Sequence, residues 1–244
     1  MAKTRPRARA RRQPLNRERV LQAALRLADR EGVASLSMRG LAQTLGVEAM
    51  SLYKHVANKD EVLDGLIDLV VAEIDVPPLG TEWRHAMRVR AMSARQVCLR
   101  HRWAALLMES RLSQSPARLQ YADAVLGLLR CSGFTVPLAY RAFVIIDSYL
   151  YGYIMQELHW PREEAEMSQV EQDVTAQLST ADYPYLMEAM THVMATRTER
   201  RVAGVYDADF ATGLELILDA LARLRDADAP PSPMPTISAT SATH

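Results

Sequence analysis

Apolar residues recur at steps of three and four along nearly the whole chain and never alternate over a useful length, a pattern that predicts helices and no strands. The first helix is expected to start at Asn16, a favoured N-cap residue. Leu15 before it and Val20 inside it form a hydrophobic staple. Val20, Ala23, Ala24, Leu27 and Ala28 make its buried stripe, and Gly32 stops it. Ser37 caps a second, short helix that turns Met38, Leu41, Ala42 and Leu45 inward. After Gly46-Val47 a third helix follows from Ala49 to Lys54, with Val47, Met50 or Ser51, and Leu52 inward. Two short helices joined at a glycine turn predict a helix-turn-helix, whose second helix enters the DNA major groove. Asn58 with Glu61 is a capping-box-like start for a fourth helix, 59–75, which carries Leu63, Leu66, Ile67, Val70 and Ile74 until Pro77-Pro78 breaks it.

Past the double proline the spacing predicts helices over 82–101, 102–110, 116–132, 137–158, 183–196 and 207–225. Residues 161–182 are acidic and polar and read as a loop or short helix. Asp226 to His244, rich in Pro, Ala, Ser and Thr, reads as a disordered tail. The expected division is therefore a basic arm (1–14), a helix-turn-helix domain (15–76), a helical domain (77–225) and a tail (226–244). Two helices invite a further expectation. In 207–225 Phe210, Leu214, Ile217, Leu221 and Leu224 recur at steps of four and three, a seam suited to another helix. In 137–158 one apolar stripe runs Leu138, Ala142, Ile145, Tyr149, Gly152 and a second runs Phe143, Ile146, Leu150, Tyr153. A helix apolar on two faces is buried on both, so Ile145, Tyr149, Phe210, Leu214, Ile217 and Leu221 are candidates for a homodimer interface. The alternative is that both helices fill the core of a monomer.

Charge sharpens the division. The formal net charge of zero hides 13 basic against 5 acidic residues up to Asp60, and 16 against 24 in the remainder. A basic head on an acidic body is the electrostatic footprint of a DNA-binding domain joined to a part that does not bind DNA. Lys3, Arg5, Arg7, Arg9, Arg11 and Arg12 precede the first helix without a single acid. This arm is expected to be disordered when unbound, and either follows phosphates and the minor groove or is a solvated tail. The chain has no apolar run of membrane-spanning length and no secretory leader pattern, which points to a cytoplasmic protein. Cys98 and Cys131 fall in helical patterns as small apolar residues.

Leu36-Ser37-Met38-Arg39-Gly40-Leu41-Ala42-Gln43-Thr44-Leu45-Gly46-Val47, then Leu52 to Val56 and Asn58-Lys59-Asp60, closely resemble the DNA-binding signature of the TetR family of bacterial transcriptional repressors. Trp83, Leu99 to Arg102, Gly133-Phe134, Gly152 and Phe210 to Ile217 are similar to the tetracycline-repressor type of C-terminal domain. The resemblance implies an all-helical homodimer that binds double-stranded DNA and a small-molecule effector, with no cofactor. It implies a DNA contact set of Ser37, Met38, Arg39, Glu48, Ala49, Met50, Ser51, Tyr53, Lys54, His55 and Lys59. Within that set, Arg39 can pair with guanine edges or phosphate, Ala49 and Met50 can make apolar contacts only, and Ser51 can hydrogen-bond. Tyr53, His55 and Lys59 resemble residues that hold the sugar-phosphate backbone. Where tetracycline-sensing members place Gln and Pro, Ala49 and Met50 stand here, so a different operator is expected.

The resemblance also implies an effector pocket between 82–101, 116–132 and 137–158. Positions at which tetracycline sensors hold Asn, Phe, His and Gln align with Arg90, Ala94, Met108 and Val125, and an acidic position aligns with Gln156. With the His and the carboxylate gone, a magnesium–tetracycline chelate has lost its ligands. Met87, Arg90, Trp103, Met108, Arg111, Val125, Phe143, Asp147 and Tyr151 are the candidate lining, a mixture that suits a mid-sized, partly apolar molecule.

No metal-binding spacing, nucleophile elbow, P-loop or dinucleotide fingerprint occurs, so neither a catalytic residue nor a metal ligand is assigned. Two rival readings stand beside the ligand-responsive regulator. One is a constitutive DNA binder whose pocket is filled core. The other is a helical enzyme, which would need an acid/base pair or metal site converging in the body.

Overall fold

A computed structural model describes residues 14–111, 115–159, 168–169, 172–173, 182–192 and 205–228. The basic arm before Pro14, most of the acidic stretch 161–182 and the tail beyond Asp228 lie outside the described residues. All regular structure among the described residues is helical, and no described helix is long and apolar enough to cross a membrane. The chain divides into two compact units. One comprises residues up to Asp75 together with Ser93–Tyr121, and the other comprises Val76–Met92 together with the residues from Ala122 onward.

The first unit holds α1 (Arg17–Glu31), a 3-10 turn (Val33–Ser35), α2 (Met38–Leu45), α3 (Ala49–Leu52) and α4 (Lys59–Val71). It also takes the second half of α5 (Trp83–Arg100), all of α6 (Ala104–Ser110) and the start of α7 (Pro116–Cys131). Asn16 Oδ1 accepts from the Arg19 N–H at 2.9 Å, which starts α1 at the expected residue. Its inward row of Val20, Ala24 and Leu27 is buried with Leu41, Leu52, Leu66 and Ile67. Gly65 lets α4 close on α1, since a Cβ there would stand 2.6 Å from a methyl of Leu21. The α4 helix ends at Val71, four residues short of the expected end, and Ile74 is buried in the turn that follows.

Cys98 on α5 is buried, and burial pushes its thiol up to about 12, whereas Cys131 is exposed. The thiolate is the reactive form. A mild-pH thiol titration of the folded protein is therefore expected to modify Cys131 within minutes and Cys98 only on unfolding. Equal rates at both positions would show that α5 opens.

The second unit contains the first half of α5, the rest of α7, α8 (Val136–His159), a helical stretch over 184–192 and α9 (Val205–Asp228). Trp83 meets Phe134 edge to face at 4.9 Å between centroids, and the Arg225 guanidinium lies 5.6 Å from the Trp83 ring and 5.9 Å from Phe134. Arg84 and Arg88 tie α5 to Glu215 and Asp219 of α9. The Arg88 guanidinium, assisted by Arg84, holds the Glu215 carboxyl below its ordinary range. Tyr149 of α8 stacks on Phe210 at 5.4 Å and donates its hydroxyl to the Phe210 carbonyl at 2.8 Å. Gly213 makes room for that ring, since a Cβ there would stand 2.3 Å from the tyrosine oxygen.

Several expectations change. The third helix stops at Leu52 instead of Lys54, because Tyr53 to His55 turn the chain so that Val56 can be buried and donate to the Leu52 carbonyl at 3.0 Å. Met50 points outward at 73% exposure, which leaves Leu52 as the inward residue of that helix. The last helix runs three residues past 225, so 226–228 are helical and do not belong to a tail. Its buried row is Phe210, Leu214, Leu218 and Leu221, whereas Ile217 is half-buried and Leu224 is exposed. Phe210, Leu214 and Leu221 are buried within the single chain. Among the described residues, the exposed large apolar side chains of α8 and α9 are Val136, Tyr140, Val144, Ile145, Leu216 and Leu224.

Candidate DNA-binding interface and effector-site residues

The Ser37 hydroxyl accepts from the Gly40 N–H at 3.1 Å and starts α2, and Gly46 at φ +66° ends it in the left-handed region that glycine enters without strain. The Val47 N–H then donates to the Ala42 carbonyl at 3.0 Å, which fixes the angle at which α3 leaves. Leu52 is wholly buried and anchors α3 from beneath. On the other side of the motif Ser37, Arg39, Glu48, Met50, Tyr53 and Lys54 are exposed, while Met38, Ala49, Ser51, His55 and Lys59 are half-buried. Asn58 Oδ1 accepts from the Glu61 N–H at 2.8 Å and the Glu61 carboxylate accepts from the Ala57 N–H at 2.6 Å, so Lys59 opens α4 at a fixed position.

Charge on this face is uncommitted. Arg39, Lys54 and Lys59 have no side-chain partner among the described residues. By contrast, Arg17 pairs with Glu61 at 3.3 Å and Arg19 donates to the Pro14 carbonyl at 2.8 Å. Guanidinium and ammonium groups held in no ion pair, around an exposed methionine and tyrosine, can meet phosphates and base edges at once. A cleft of about 520 Å³ elsewhere in this unit, lined by Asn16, Glu18, Arg19, Gln22, Arg26 and Leu45 together with Pro14, includes no candidate effector residue.

The nine candidate effector residues separate. Met87, Arg90, Val125, Phe143, Asp147 and Tyr151 belong to the second unit, and Trp103, Met108 and Arg111 to the first. Arg90 and Asp147 form an ion pair, and the Arg90 guanidinium lies 5.6 Å from the Phe143 ring centroid. Met87, Val125 and Tyr151 are buried, as is Met108 in the first unit.

Trp103 and Arg111 are committed to carboxylates of the first unit. The Trp103 indole N–H donates to Asp29 of α1 at 2.8 Å. Arg111 reaches Asp64 at 2.9 Å and Asp60 at 3.0 Å, both on α4. Around them His101 lies between Asp29 at 2.7 Å and Glu73 at 3.3 Å, Arg100 pairs with Glu73, and Ser115 donates to Asp68. Sequence reading missed this set of contacts. Two signals announced it: carboxylates at 60, 64 and 68, one per turn on a single face of α4, and the cluster Arg100-His101-Arg102-Trp103 at the end of α5.

Fold and face together define a class, the all-helical DNA-binding regulator that presents a helix-turn-helix. The chain belongs to the tetR family of bacterial regulatory proteins. That family's model matches residues 20–66, and the model of the tetracyclin repressor-like C-terminal domain matches 76–225. The HTH-type transcriptional repressor DrrR1 of Streptomyces coeruleorubidus is 34% identical over 213 residues, covering 85% of this chain and 77% of the relative. The tetracycline repressor protein class A from transposon 1721 of Escherichia coli is 31% identical over 210 residues, 84% of this chain and 90% of the relative. Among solved structures, Streptomyces coelicolor ActR in complex with actinorhodin is similar with a TM-score of 0.69 at 27% identity, covering 87% of this chain and 99% of that one. The relatives are transcriptional regulators and not enzymes.

Proposed function

We propose that this regulator is a homodimeric, cytoplasmic repressor that holds a palindromic operator and releases it when a small, partly apolar effector binds its C-terminal half. The observation that carries the reading is the uncommitted face from Ser37 to Lys59, which ends at the first residue of a helix whose carboxylates are gripped by Arg111. Two heads would occupy successive major grooves about 34–36 Å apart. Val136, Tyr140 and Val144, spaced one turn apart on α8, with Leu216 and Leu224 on α9, supply an apolar surface for the second copy. The effector proposed is not a magnesium–tetracycline chelate, because Met108 and Gln156 stand where ligands of that metal are held in tetracycline sensors. An effector that favours one of two conformers can shift operator affinity by about 5- to 150-fold.

Selection of bound duplexes from a random DNA pool tests the reading, and an inverted repeat is the expected product. No enrichment at low salt would refute it. On the selected operator, Arg39→Ala is expected to relax preference at one base pair, worth about 1–3 kcal/mol of discrimination. Lys59→Ala is expected to weaken all duplexes alike and to lower the salt slope by about one unit. Identical behaviour of the two variants in salt-titrated anisotropy would contradict this division of roles.

A further inference from the structure

The pair Arg90–Asp147 joins α5 to α8 inside the second unit, where neighbouring positions on the two helices (Met87 and Ala91, Ile146 and Leu150) are buried and apolar. Apolar side chains would hold two helices together at least as well as a buried ion pair does, so stability gives no reason for the charges. The two members are also unequal. Arg90 is fully enclosed, whereas the Asp147 side chain keeps 19% of its exposure, so the anion is the partner that solvent can reach. Burial raises the Asp147 carboxyl above its ordinary range although Arg90 opposes it. Along α8, Phe143, Asp147 and Tyr151 stand one turn apart in a single row, an aromatic ring on either side of the acid, and the guanidinium faces the first ring at 5.6 Å.

We propose that Arg90 anchors an effector bearing a carboxylate on an aromatic or fused-ring body, the acid group replacing Asp147 on the guanidinium and the rings lying along the row of Phe143 and Tyr151. A planar guanidinium matches a carboxylate in two hydrogen bonds and stacks on aromatic faces, an affinity that a neutral ligand cannot use. The displaced Asp147 carboxylate turns to the solvent that already reaches it, while the ligand buries its rings. The assignment rests on the ligand-responsive reading above and names the chemistry of its ligand.

The test is isothermal titration of the full-length protein with naphthoate, naphthylacetate and anthracene carboxylate, each set against its own primary amide. At least one acid is expected to bind about tenfold or more tightly than its amide. Asp147→Asn, which removes the competing anion, is expected to strengthen that acid, and Arg90→Gln to abolish the preference while leaving the amide unchanged. Arg90→Lys keeps the charge but loses the planar fork, and is expected to reduce the preference should the glutamine variant fail to fold. A purely structural pair would make the Asp147 and Arg90 variants weaken acid and amide alike, and that result overturns the proposal. So does equal binding of acid and amide by the unaltered protein, or no binding of any acid. Operator release is read separately by anisotropy. Amides that release DNA as well as acids do would sink the anion site and keep the ligand-responsive reading. Acid-selective binding with unchanged operator affinity would do the reverse.

Discussion

Leu52→Ala is expected to destabilise the DNA-binding head by about 2–5 kcal/mol and to abolish specific DNA recognition, the largest loss from any single truncation in the motif. Leu52 is wholly buried, and α3 has only four residues with no side-chain cap at Glu48, so little besides this leucine holds the helix down. A lone turn of helix does not persist in water. Met50, two residues earlier, is the control. It is 73% exposed, so Met50→Ala is expected to leave the melting temperature almost unchanged while weakening only duplexes whose bases it touches. Urea titration with anisotropy on the same samples separates the two. If Leu52→Ala melted like the parent and still discriminated operator from random DNA, α3 would have to be held by something other than burial.

The second large effect is expected at Arg111. Its guanidinium spans Asp60 and Asp64 on the first two turns of α4, directly after Lys59 of the interface. Arg111→Ala is expected to leave effector-free operator affinity within about threefold, because ion pairs that solvent still reaches, as it does both of these, are worth roughly 0–1 kcal/mol each. It is expected to remove most of the effector-dependent change, which spans about 5- to 150-fold in coupled systems of this kind. Asp64→Ala should reproduce the phenotype, and the double variant should add little to either single change. Operator titration with and without saturating effector gives the answer. A variant that still releases DNA as completely as the parent would show that coupling bypasses this contact.

Local sequence carried most of the head. Asn16, Ser37, Gly46 and Asn58 act over three or four residues, so their caps and turns could be placed without knowing what packs where. Leu52 was legible for the same reason, as the inward residue of a short amphipathic turn. Met50 was ambiguous because helical spacing let either it or Ser51 face inward, and the folded chain leaves Met50 exposed and Ser51 half-buried. The seam on the last helix was legible only as a seam. Phe210, Leu214 and Leu221 do line a helix–helix contact, but apolar periodicity cannot say whether the second helix belongs to the same chain, and here Tyr149 of α8 fills that role. Arg111 and Trp103 were legible as polar groups near a pocket, not as partners of Asp60, Asp64 and Asp29, since those pairs span 47 residues or more.

The grouping of Ser93–Tyr121 with the first seventy-five residues bears on how regulators of this kind can be recombined. Grafting a foreign head onto this body at the double proline would bring new residues opposite His101, Trp103, Arg111 and Ser115, all chosen for acids at 29, 60, 64, 68 and 73. A hybrid sensor that exchanges operator specificity while keeping its chemical input is therefore expected to need transplantation of both stretches together, or repair of those five acids in the incoming head.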